Sequence, residues 1–184
     1  LLVATPSTLF KLNWIEKKSK SISLIKPLKP NYTEGEKFLY LGSEYPLSVN
    51  IIHAKGLSFD GEIFRLNSGG KDEFLSWYKV SFKKIALPRI EHYANNYQLS
   101  YNQVRLKTQK TLWGSYSSVN NINLNYLLIG APISVIDYVI VHELCHSVHK
   151  NHSKNFWQLV FSILPNYKAS KRWLQVNGHR LQNL

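Results

Sequence analysis

The sequence predicts an α+β fold, rich in strands at its N-terminal end and helical around one histidine-rich segment. Three patterns carry this. Through much of residues 1–70, apolar residues alternate with polar ones, the period of a half-buried strand. From about Lys71 to Tyr97 they recur at three- and four-residue steps, the period of a helix face. The segment from Ile133 to about His149 is apolar nearly all round before its histidines, as in a buried helix.

In chain order, FKLNWI reads as a strand in which Phe10, Leu12 and Trp14 share a face. KFLYL (37–41) and YPLSVNII are joined by the short link Gly42–Glu44, which suggests a hairpin. GEIFRL (61–66) fits a further strand, and Ser68-Gly69-Gly70 closes this section. In the helical stretch that follows, Phe74, Trp77, Tyr78, Phe82 and Ile85 form the apolar stripe. Pro88 lacks an N–H and should kink or split that helix. Strands return at Val104, Leu106 and Thr108, and again over Ile122–Leu128, which could run along a cleft and pair with an extended substrate. Pro132 suits a helix start. Two last helices fit Ser153–Leu164 and Lys168–Val176, with Gly178 as the stop. The change of period near residue 70 separates an N-terminal β-rich section (1–70) from a second section (71–184).

Hydrophobic residues make up 44% of the chain, enough for a buried core, so disorder is excluded. No apolar run is long enough to cross a bilayer. The first ten residues have no basic stretch before them, so no signal peptide is expected. A single cysteine, Cys145, cannot form an internal disulfide, and a reducing cytoplasm is the expected compartment. The net charge of +12 would attract an anionic partner.

Four of the seven histidines lie between positions 142 and 152. They open on His142-Glu143-Leu144-Cys145-His146, an H-E-x-x-H pattern. On a helix, residues four apart share a face, so both imidazoles can grip one Zn2+ ion. Glu143 points about 100° round the helix, where its carboxylate can act on water at that metal as general base. By chance the pattern should occur in roughly one chain of this size in a hundred. Here it lies on an apolar helix, where such polar groups are costly to bury without a partner. His152, six residues beyond His146, has the third-histidine spacing of metzincins, and His149 competes with it. Ser153–Leu184 contains no Asp or Glu, so a downstream carboxylate ligand is ruled out. His149, Tyr138 and Tyr116 are candidates for supporting or oxyanion-binding roles. Arg105, Lys107 and Lys110 form one basic group, and Lys168, Lys171, Arg172 and Arg180 another; either could rim the site. Other divalent transition metals also suit imidazole.

From about Arg105 onward the chain resembles the YgjP-like metallopeptidase-domain family, a branch of zincin-like proteins. The likeness is carried by RLKTQKTLWGSYSS, by NINLNYLLIGAPISVIDYVIVHELCHSVHKNHSKNFW and by RWLQVNGHRL, with WYKVSFKKIALPRIEHYA similar to the family's preceding helix. It implies a zincin-like catalytic domain over 71–184 with His142, His146 and His152 on the metal and Glu143 catalytic. Tyr116 departs from the pattern, standing where the family often has Cys. Three functions follow as expectations: a zinc-dependent metallopeptidase with a peptide substrate, a metal-dependent hydrolase of nucleotide pyrophosphate bonds, and a basic nucleic-acid-associated protein with structural zinc.

Overall fold

Leu41 and Gly42 both take positive φ (50° and 91°), the backbone of a two-residue hairpin turn. The strands on either side, β1 (Lys37–Tyr40) and β2 (Ser43–Val49), therefore pair antiparallel. β4 (Phe64–Ser68) lies parallel to β2, and β3 (Gly56–Phe59) antiparallel to β4, in the order β1-β2-β4-β3. The computed structural model describes residues 30–50, 56–109 and 111–182. The strand expected at FKLNWI and the basic residue Lys110 lie outside them.

Helix α1 (Lys71–Tyr97) buries Phe74, Tyr78, Phe82, Ala86, Ile90 and Ala94, a ladder at four-residue steps. The Tyr78 hydroxyl donates to the Leu39 carbonyl and ties the helix to β1. Of the two outcomes expected at Pro88, a kink or a split, the split does not occur: α1 runs through it as one helix. Pro88 and the residue one turn before it, Lys84, are both exposed, so the carbonyl left without a donor can be hydrated.

The second sheet has the order β5-β7-β6: β5 (Val104–Lys107), β6 (Gly114–Tyr116) and β7 (Ile122–Asn125). β7 is central, parallel to β5 and antiparallel to β6. The strand expected to reach Leu128 stops at Asn125. There the Asn125 side-chain oxygen accepts from Leu127 N (3.1 Å) and its amide donates to the Gln109 carbonyl (2.8 Å). The chain turns into a 3-10 helix, Tyr126–Gly130. Leu41 N and Gly42 N donate to the carbonyls of Ile129 and Gly130, joining the first hairpin to it.

Three helices complete the fold: α2 (Ile133–Cys145), α3 (Lys154–Ile163) and α4 (Tyr167–Leu181). α2 is buried on most sides, and Arg89 on α1 holds its Asp137 at 2.7 Å. α4 continues past Gly178, which was expected to stop it. A Cβ at Gly178 would come within 3.1 Å of the Trp113 ring, so the glycine serves close packing rather than termination. The separated strands and helices form an α+β fold. Among the described residues, no helix is long and apolar enough to cross a membrane.

Candidate metal centre

α2 ends at His146, which is its C-cap, and the chain turns back before Ser153 caps α3 through Phe156 N (3.5 Å). This reversal brings His152 against the last turn of α2. His142, His146 and His152 offer ligand atoms that all lie within 4.8 Å of one another. The Nε2 atoms of His142 and His152 stand 3.0 Å apart. Two imidazole nitrogens sharing a tetrahedral zinc are separated by about 3.3 Å, so the cluster has the right size for one ion.

The tautomer of His146 is fixed. Its Nδ1 lies 2.9 Å from the His149 carbonyl, which can only accept, so Nδ1 carries the proton and Nε2 the lone pair. His149 thus supports the site through its backbone. His142 Nδ1 is buried with no hydrogen-bond partner among the described residues, and its ring is held by packing. Tyr138 and Trp157 lie 5.9 and 5.7 Å from it. The fully buried Phe156 ring sits 4.7 to 5.0 Å from all three imidazoles. Burial, then the neighbouring His146, His152 and Lys171, push His142 down to about 3, so it is neutral near pH 7. His152 is lowered by burial and by the same kind of neighbours. Neutral imidazoles are the form that binds metal.

Glu143 is 5% exposed, and burial pushes its carboxyl up to about 8. One side of it is closed by the backbone of β6: a Cβ on Gly114 would stand 2.6 Å from Glu143 Oε1. In the sequence, Trp113-Gly114-Ser115 stands out only as part of the family resemblance. Its contact with Glu143, between residues far apart in the chain, was not legible there.

The remaining expected site residues divide. Tyr138 is beside His142, and burial pushes its hydroxyl up to about 12, so it stays a proton donor. The Tyr116 hydroxyl donates to the Ser100 carbonyl (2.9 Å), and Lys150 lies over its ring (4.7 Å). Arg105 and Lys107 are exposed on β5, the far edge of the sheet from β6. Cys145 is buried and its thiol raised to about 12, so it is inert.

In the metal-free protein these shifts make stability depend on pH. The folded-state pKa of His142 lies below its ordinary 6.5, so stability is lost as pH falls from 6.5 toward 3. That of Glu143 lies above its ordinary 4.5, so stability is lost as pH rises from 4.5 to 8. In chelator, Glu143→Gln should be more stable than wild type at pH 9, by on the order of a few kcal/mol, and little changed at pH 4. Thermal denaturation at the two pH values checks this.

Among curated proteins, none matches the chain in sequence. Similar solved structures include two metallopeptidase zymogens. The metallopeptidase zymogen abylysin of Pyrococcus abyssi is 21% identical over 53% of this chain and 96% of its own, with a TM-score of 0.44. The metallopeptidase zymogen jannalysin of Methanocaldococcus jannaschii is 22% identical over 60% of this chain and 92% of its own, with a TM-score of 0.40. The profile of the YgjP-like metallopeptidase domain matches residues 9–177, nearly the whole chain. This protein therefore belongs to the YgjP-like metallopeptidase-domain family and, with it, to the metal-dependent hydrolases.

Proposed function

We propose that this protein is a zinc-dependent peptidase in which His142, His146 and His152 hold one ion and Glu143 is the general base. The observation that carries the reading is the convergence of three imidazoles beside a buried carboxylate. Three imidazole donors suit a catalytic site, which keeps one position open, better than a structural site, which fills all four. Bound zinc would supply Lewis acidity, polarising the scissile carbonyl and acidifying the attacking water toward a pKa of ~7.

A cation held by the three imidazoles would favour the charged form of the buried Glu143, whose carboxylate then takes a proton from that water and passes it to the leaving amine. The Tyr138 hydroxyl, protonated and next to His142, is our choice for stabilising the developing oxyanion. Substrate backbone pairs with β6. The expectation that Ile122–Leu128 would do so fails, because β7 is paired on both sides, by β5 and β6. β6 has an open edge among the described residues and passes Glu143 at Gly114.

Purified protein should contain close to one zinc per chain and cleave casein-derived peptides. Exhaustive chelation should abolish cleavage, and one equivalent of zinc should restore it. A metal-free protein that cleaves as fast as the loaded one would refute the reading, as would a zinc-loaded protein inactive on a broad peptide panel.

A further inference from the structure

We propose that the face formed by α3 and α4 beside the histidines is a substrate subsite for an acidic residue flanking a large apolar one, anchored by Lys171 and Trp157. It rests on the peptidase reading above. A groove of about 370 Å3 lies on this face, lined by Lys154, Trp157, Gln158, Phe161, Tyr167 and Lys168. Its floor is continuous with the metal centre. The Trp157 ring stacks on His152 (5.7 Å, 24°) and on Tyr167 (5.4 Å, 15°). Phe161 lines the same groove and is 55% exposed, a large apolar surface left in water.

Charge decides what else the groove accepts. Residues 153–184 carry five Lys and Arg and no Asp or Glu. Lys171 is half-buried, with Nζ 4.3 Å above the centre of the Trp157 ring, so its charge is held at the groove rather than spread into solvent. Among the described residues, no carboxylate lies within ion-pair distance of Lys154, Lys168 or Lys171. A ligand that suits such a surface brings its own carboxylate and an apolar or aromatic side chain to lie on the exposed Phe161, against the part of Trp157 that lines the groove. An acidic peptide has both. Phosphate ligands are matched less well, since the lysines surround an aromatic floor and the sequence offers no Gly-rich loop to cradle phosphates.

The test uses zinc-loaded Glu143→Gln protein and three fluorescein-labelled octapeptides, identical except for Glu, Gln or Lys on both sides of a central Phe. Fluorescence anisotropy at low salt should give the Glu peptide at least tenfold higher affinity than the Lys peptide. Adding Lys171→Glu should erase that preference, and the milder Lys171→Gln should reduce it. Lys83→Glu makes the same charge change on an exposed part of α1 and should leave the preference intact. Equal affinities for the three peptides would overturn the proposal. So would a preference that survives Lys171→Glu, or one lost equally in Lys83→Glu. Displacement of the Glu peptide by ATP at lower concentration than by the unlabelled peptide would assign the lysines to phosphate and also overturn it. Turnover is scored separately on zinc-loaded wild type with the three octapeptides and the broad peptide panel. No cleavage of any of them defeats the peptidase reading, whereas cleavage without a Glu preference in binding defeats only the subsite.

Discussion

Glu143→Gln is expected to lower kcat by about 10³-fold while zinc stays bound at wild-type stoichiometry. The substitution is nearly isosteric, and the site it enters is closed: Glu143 is 5% exposed, with Gly114 against its carboxylate. Gln fits the same space but cannot take a proton from water. The three imidazoles owe their positions to α2, to the turn that follows it and to Phe156, not to Glu143, so metal affinity should survive. Metal analysis on the same sample as the peptide assay separates the two effects. A mutant that has lost its zinc would mean that Glu143 acts as a ligand; one with full activity would remove it from the chemistry.

Gly114→Ala should also cost about a hundredfold, acting through kcat more than KM, in a protein that still folds. The added Cβ would lie 2.6 Å from Glu143 Oε1 and 2.8 and 2.9 Å from its Cγ and Cδ. Gly114 is not among the residues with positive φ, so its strand backbone accepts a side chain without strain. The clash is therefore with the carboxylate, which must rotate away from the position the proposed mechanism requires. Displacements near 1 Å at such a group are enough for a loss of this size. Circular dichroism and zinc content should match the wild type. Normal activity in the Gly114→Ala protein would show that the carboxylate has room to move and that its position against β6 is unimportant.

Legibility in the sequence followed the range of the interaction. The stripe through Phe74, Tyr78 and Phe82 needs only helical spacing, and α1 has the expected ends. His142 and His146 are likewise one turn apart on one helix, so their meeting is a local property. His152 depends on a turn after the helix, and its spacing and the family resemblance pointed to it. Other features were set by partners distant in the chain. β6 is three residues long, too short for alternation to register, yet it supplies the edge beside Glu143. Gly178 resembles a helix stop until Trp113 is seen packed on it. Arg105 and Lys107 read as a rim of the site, but pairing of β5 with the outer side of β7 carries them to the opposite edge. The hairpin of β1 and β2 was legible because its turn is local; the parallel pairing of β2 with β4 was not.

The most direct measurement is an X-ray structure of zinc-loaded protein with anomalous data collected at the zinc edge. A single anomalous peak should lie about 2.0–2.1 Å from Nε2 of His142, His146 and His152, with Glu143 outside bonding distance. No peak among these three nitrogens, or zinc held instead by other residues such as the His149 side chain, would contradict the account.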